Sequence, residues 1–214
     1  MNASVGGKSR RAAGRVFGAV AIVVLLSVSA VNAQGGSFTD ARDGKKYRTV
    51  KIGKQTWMAE NLNYKIGKSV CYDNKESNCQ KYGRLYDWKT AMKACPAGWH
   101  LPSDEEWEAL TDFVGGEETA GTKLKSKTGW STDEGYKAAT DDYGFSALAG
   151  GYGKSDGSFS HAGYYGVWWS ATESGANYAW YRYMNYYNEY VNRYYVYKSG
   201  LFSLRCSQDS AVQR

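Results

Sequence analysis

Four cysteines constrain this chain more than any other residues it carries. Cys71, Cys79, Cys95 and Cys206 are even in number and all lie downstream of a distinctive N-terminal segment. That segment decides how they are read. Lys8, Arg10, Arg11 and Arg15 precede an uncharged run from Val16 to Val31, and Val31-Asn32-Ala33 sets small residues just before Gln34. A basic stretch, a short apolar stretch and a small-residue cleavage site make up a secretory signal, expected over residues 1–33. A retained membrane anchor is the competing reading, but 16 residues fall short of the roughly 20 needed to cross a bilayer. No cysteine directly follows the run for lipid attachment, and no second long apolar run occurs. The expectation is an extracytoplasmic protein, secreted, periplasmic or held at the cell surface, with no membrane partner after cleavage.

In an oxidising compartment four cysteines read as two disulfides, in one of three pairings. We favour Cys71–Cys79, which closes the polar loop YDNKESN, and Cys95–Cys206, which ties the middle of the chain to its end. The second would close a loop of about 110 residues, worth several kcal/mol in the chain-entropy account. A metal site is the alternative. Zinc favours closely spaced Cys or His pairs, whereas seven residues separate Cys71 from Cys79 and the chain has only two histidines. No metal is therefore expected at the cysteines.

Charge removes another class. The chain carries 27 basic and 21 acidic side chains, a formal +6, and Lys8, Arg10, Arg11 and Arg15 supply most of that excess. The remainder is close to neutral. It lacks the concentrated cationic face that phosphate recognition needs, so no nucleic-acid partner is expected. A hydrophobic content of 43% with 22% charge and two prolines excludes a disordered or collagen-like chain. About 180 residues beyond the signal suit one domain with a single core.

Residues 34–46 are polar and glycine-containing and read as a short lead-in to a single domain over 47–209, with 210–214 as a tail. YRTVKI and QTWMAENL flank Gly53-Lys54 and read as a hairpin with a type II′ turn. Leu85, Trp88, Ala91, Met92 and Cys95 fall at helical spacing, which predicts a helix over 85–94 ended by Pro96. In CPAGWHLPSDEEWEALTDFVGG, Ser103 and Glu106 form a capping box. Asp104, Glu105 and Glu106 suit the helix dipole, Trp107, Leu110 and Val114 make the buried stripe, and Gly115-Gly116 stops the helix. The carboxylates there have a structural explanation. Beyond residue 116 the helical pattern stops and alternating strands take over. Tyr165, Val167 and Trp169 oppose Tyr164, Gly166 and Trp168; Trp180, Arg182 and Met184 oppose Tyr181, Tyr183 and Asn185. VNRYYVY and LFSLRCS add two more strands, the last with Phe202, Leu204 and Cys206 on its inner face.

Gly83–Trp107, YGFSALAGGY, GSFSHAGYYGVWWSATES and SLRCSQD, with the opening VKIGKQTWMAENLN, resemble the Fibrobacter succinogenes major paralogous domain in their expected order. That family is similar to the formylglycine-generating-enzyme (sulfatase-modifying factor) and C-type-lectin-like group. The resemblance implies an α+β domain of that type: two short helices, irregular antiparallel β structure, and chain ends that meet in the sheet, in agreement with a Cys95–Cys206 bridge. It does not carry chemistry across. Formylglycine-generating enzymes hold copper through a close C-terminal cysteine pair, where this chain has only Cys206. Calcium-dependent lectins use Glu-Pro-Asn or Gln-Pro-Asp with Trp-Asn-Asp, and none of these occurs.

Catalysis finds little support elsewhere. His100 reads as a packed or hydrogen-bonded residue at a helix start and His161 as a loop residue, neither with a nucleophile to serve. Asp133-Glu134 and Asp141-Asp142 read as solvated loop carboxylates; they leave room for a structural calcium but do not form a calcium-binding pattern. No pair of carboxylates is singled out for glycoside hydrolysis. No cofactor is expected.

The anomaly is tyrosine. Fourteen of the nineteen lie from Tyr136 to Tyr197, more than one sheet face can bury. Trp168, Trp169, Trp180 and about half of these tyrosines are expected in the core. Tyr181, Tyr183, Asn185, Tyr187, Asn188, Tyr190, Asn192, Arg193 and Tyr195 are the candidate binding residues. Tyr gives contact area at low entropy cost, and Asn and Arg give hydrogen bonds. The expected function is a non-catalytic binding domain for a polysaccharide or a surface protein. The alternatives are a metal-dependent oxidase related to the formylglycine-generating group and a purely structural envelope protein.

Overall fold

The structure is a computed structural model and describes residues 1–3 and 34–210; the expected signal lies outside these apart from its first three residues, and only Ser210 of the expected tail is included. The fold belongs to the unit Val31–Arg214. In chain order its strands are β1 Gln34–Thr39, β2 Lys46–Ile52, β3 Gln55–Met58, β4 Ser69–Val70, β5 Leu85–Tyr86, β6 Trp99–His100, β7 Gly150–Gly153, β8 Phe159–Ala162, β9 Tyr165–Gly175, β10 Tyr178–Asn185, β11 Asn192–Tyr197, β12 Phe202–Ser203 and β13 Ser207–Gln208. The helices are α1 Glu76–Tyr82, α2 Trp88–Ala91, α3 Asp104–Phe113 and α4 Glu117–Leu124. The domain is α+β, with few short helices on mostly antiparallel, curled sheets.

One sheet runs β1-β2-β3-β13-β6. Ile52 pairs with Gln55, leaving Gly53-Lys54 as the expected two-residue turn. Gly53 sits at φ 60°, which a type II′ turn asks of its first position. Residues 34–39, expected as lead-in, are instead a strand paired along β2. Their one large apolar side chain anchors it: Phe38 stacks between Tyr47 and Trp99, with ring centroids 5.6 and 4.5 Å away. The chain end joins the same sheet, because Ser207 lies opposite both Trp57 and His100.

The second sheet runs β11-β10-β9-β12-β5-β4, with β7 on β9 and β8 on β7. Its long strand β9 is buried on both faces from Gly166 to Ser170. Trp168 packs with Trp57, Trp107, Leu110 and Met184. Trp169 packs with Tyr86, Leu101, Phe202 and Leu204. The alternation read from the sequence therefore separates two cores. Each indole is satisfied: Trp168 Nε1 donates to Asn61 Oδ1 at 2.9 Å and Trp169 Nε1 to Tyr86 O at 2.8 Å.

Helix α3 has both halves of the expected capping box and buries Trp107 and Leu110. The other helices depart from expectation. Leu85 and Tyr86 pair with β12 and β4 as a strand, and Asp87 then caps α2 by accepting the Thr90 N–H, so the helix predicted over 85–94 is short and late. The loop closed by Cys71–Cys79 contains most of α1. Helix α4 follows Gly116, where none was expected, and carries Gly121 in its interior. A Cβ at Gly121 would meet Glu189 O at 2.6 Å, so its bareness lets the 189–190 loop lie against the helix. Among the described residues four α-helices stand where two were expected.

Both favoured disulfides form, Cys71–Cys79 and Cys95–Cys206, with Cα separations of 4.9 and 6.0 Å. Next to Cys206, Arg205 is wholly buried. Its guanidinium donates to Asn61 Oδ1 and to the carbonyls of Met58, Phe145 and Ser146. Burial lowers its pKa to about 9.

Candidate functional site

None of the fourteen tyrosines from Tyr136 to Tyr197 is buried; each is half-buried or exposed. The fully buried phenols are earlier ones, such as Tyr47 and Tyr86. Trp180 is also half-buried, contrary to expectation. The cause is topological. Strand β11 is the free edge of the second sheet and β10 lies next to it, so the tyrosines of β11 have a neighbouring strand on one side only and those of β10 are flanked by that exposed edge.

On one face of this end the rings close into a circuit. Tyr152 stacks on His161 (5.6 Å between centroids), His161 meets Tyr165 edge-on (5.0 Å), and Tyr165 stacks on Tyr183 (6.1 Å). Tyr183 touches Tyr181 (5.8 Å), Tyr181 touches Phe202 (5.0 Å), and Phe202 returns to Tyr152 (6.1 Å). With Val167 and Val196 these six rings line a cleft of about 360 Å³. Val167 and Phe202 are 3% and 5% exposed and form its floor; His161 stands exposed at the rim. Strand register builds the cleft, since Tyr183 lies opposite Val167 and Tyr181 opposite Trp169 and Tyr194.

The cleft holds no carboxylate, amine or guanidinium. Burial pushes Tyr181 up to about 12 and raises Tyr183. The hydrogen bond with the Tyr187 hydroxyl, then burial, raises Tyr165. His161 holds φ 67°, uncommon for a residue with a Cβ.

The nine residues expected to bind are not on one surface. Tyr181 and Tyr183 line the cleft. Tyr187 touches its edge through Tyr165, at 6.5 Å between centroids. Asn192 is half-buried opposite Tyr183. Asn185 is buried and accepts the Asn188 N–H at 3.0 Å, while Asn188 accepts the Tyr190 N–H at 3.1 Å, so both shape the connecting loop. Tyr187, Asn188 and Tyr190 border a separate depression with Glu118 and Lys137. Lys125 Nζ braces that loop from beneath by donating to Asn185 O and Asn188 O.

Arg193 and Tyr195 belong to the opposite face. Arg193 Nε donates to Asp104 Oδ2 at 2.5 Å, and its guanidinium lies 3.3 Å over the Trp180 ring. Arg182 donates to Asp104 Oδ1 at 2.6 Å and to the Asp104 carbonyl. Asp104, read as a dipole residue, thus also fastens α3 to β10 and β11. Sequence reading missed Tyr152, His161, Tyr165, Val167 and Phe202 as partners of Tyr181 and Tyr183. The alternation on β9 does place Tyr165 and Val167 on one face; what it lacks is the neighbour relation between β9 and β10.

His100 is hydrogen-bonded at the start of α3, as expected. Its Nδ1 lies 2.6 Å from Asp209 Oδ1 and its Nε2 2.8 Å from Glu106 Oε1. Asp141 accepts both the N–H and the hydroxyl of Ser146, and Asp133 accepts the Tyr164 hydroxyl at 2.9 Å. Among the described residues, Cys71, Glu76 and Cys79 cluster at metal-ligand distances, but both sulfurs are spent in a disulfide.

Fold and site together define a disulfide-stapled α+β domain with an aromatic cleft at the end of its larger sheet. The model of the Fibrobacter succinogenes major domain matches residues 50–208, and the chain belongs to that family. No curated protein and no solved structure matches it. No helix among the described residues is long and apolar enough to cross a membrane.

Proposed function

We propose that this chain is an extracytoplasmic, non-catalytic binding domain that recognises polysaccharide through the aromatic cleft. The closed circuit of six rings around an uncharged hollow carries the reading. Flat rings stack on the apolar faces of sugars, and phenol hydroxyls can donate to or accept from sugar hydroxyls. Two disulfides and a signal-like N-terminus support an oxidising compartment. Few helices, curled antiparallel sheets and a bridge at the chain's end support kinship with the C-type-lectin-like and sulfatase-modifying-factor group. The enzyme alternative has less behind it, because the described cysteines are all disulfide-bonded and leave no thiol pair.

Calorimetric titration of the disulfide-bonded chain with neutral oligosaccharides tests the reading. Saturable heat is expected, and replacement of Tyr181 and Tyr183 by Ala should abolish it. Equal heat from that double variant would move the site elsewhere. Silence with every glycan, alongside binding to a surface protein, would favour the protein-ligand version.

A further inference from the structure

Resting on the glycan reading of the cleft, we infer that its ligand carries N-acetylated amino sugars, with the acetamido methyl seated on the floor. The floor is the observation a plain hexose leaves unused. Val167, Phe202 and half-buried Val196 offer only carbon. A sugar bearing only hydroxyls spends its C–H faces on stacking against the ring walls and has no methyl to fill the floor, which forgoes part of the favourable burial. An acetamido group divides as the cleft does. Its methyl matches the apolar floor, while its N–H and carbonyl match hydroxyls that can both donate and accept, carried on Tyr152, Tyr165, Tyr181 and Tyr183. The His161 ring at the rim adds a further polar edge and makes no protein hydrogen bond among the described residues. A uronate fits less well. No lining side chain carries an amine or guanidinium that would pair with its carboxylate, and an unpaired anion against the negative faces of aromatic rings is costly.

Two β-1,4-linked tetramers, one of N-acetylglucosamine and one of glucose, differ mainly in the acetamido group and isolate it. Titration of the disulfide-bonded chain with each should show the acetylated tetramer binding roughly tenfold more tightly, the scale of one buried methyl plus one net hydrogen bond. Val196→Thr, an isosteric change on the free edge strand, should shrink that ratio severalfold while near-ultraviolet circular dichroism stays unchanged. Equal affinity for the two tetramers would overturn the acetamido inference and leave the glycan reading standing. An unchanged ratio in Val196→Thr would also overturn it, by removing the floor from the recognition. Binding of neither tetramer, nor of any other neutral glycan, would defeat the underlying reading itself.

Discussion

On one face of β10, Trp180, Arg182 and Met184 look toward helix α3; on the other, Tyr181 and Tyr183 look into the cleft. Both faces carry aromatic side chains, and both belong to the same strand. Their fates differ because of one helix. The first turn of α3 brings Asp104 to Arg182 and Arg193, and Arg193 then covers the Trp180 ring. Both guanidiniums on the covered face are held by the Asp104 carboxylate, so the helix can close over them. The cleft face meets no such element, and its rings pack edge-to-face and offset against one another, leaving the hollow open. Aromatic density alone therefore does not mark a binding surface; what matters is whether the polar groups among the rings are already engaged.

The strongest way to break the contrast is to remove the carboxylate that closes the covered face. Asp104→Ala leaves Arg182, 4% exposed at its side chain, as a buried cation with no carboxylate within reach. We expect a loss of about 3–5 kcal/mol, as for other broken buried ion pairs. Urea unfolding would read it as a lowered midpoint with an unchanged slope. A shift no larger than that of an exposed salt bridge, under about 1 kcal/mol, would mean that Asp104 does not close this face.

Much of the local fold was legible in the sequence, the contrast between the two faces was not, and the gaps have physical reasons. The capping box at Ser103 and Glu106, the Gly53-Lys54 turn and the alternation on β9 and β10 are local, so they could be read directly. Both disulfides could be chosen from spacing. Helices α1 and α4 were hidden because α1 has a polar sequence tethered by a disulfide and α4 has a glycine in its interior, and in both cases tertiary contacts override propensity. The cleft was half visible. Tyr181 and Tyr183 share a face by period-two spacing, but Tyr152, His161 and Phe202 arrive from distant segments that only the strand order assembles. The bond from Arg193 to Asp104 was out of reach for the same reason, since Asp104 lies 89 residues away in sequence.

The open face should respond in the opposite way. Tyr181→Ser removes a half-buried ring that contacts Phe202, Tyr183 and Tyr194. We expect a stability loss of about 1–2 kcal/mol, well below that of Asp104→Ala, because part of the ring already faces solvent. Glycan affinity should fall at least roughly tenfold, as when a stacking aromatic is lost from a binding face. Stability measured by urea and affinity measured by calorimetry would thus separate the two faces: the covered one governs folding and the open one governs binding. Equal stability losses in the two variants would erase the distinction.

The smallest effect concerns how α3 is held in place. His100 bonds two carboxylates at once, through Nδ1 to Asp209 and through Nε2 to Glu106, the same Glu106 that completes the helix cap. With carboxylates on both sides, both ring nitrogens must donate, which requires the imidazolium. Burial pulls the His100 pKa down, but the hydrogen bonds it donates to Asp209 and Glu106 outweigh it and the net shift is upward. A cation whose folded pKa exceeds the unfolded one stabilises fully below the unfolded value, about 6.5. That contribution fades as pH rises through the folded value. The imidazole is 38% exposed, so solvent screening keeps it below about 1 kcal/mol. Lys125 and Arg205 act in the reverse sense: burial lowers them to about 8 and about 9, and relief of their desolvation adds stability in alkali. The measurement is therefore the difference between wild type and His100→Gln, unfolded in urea at pH 5.5, 7 and 8.5, in which those two groups cancel. The wild type should hold its small advantage at pH 5.5 and lose it by pH 8.5, while the glycan affinity of both proteins stays equal at each pH. A constant difference across that range would show that His100 does not clasp α3 as a cation, and a change in affinity would show that the covered face communicates with the open one.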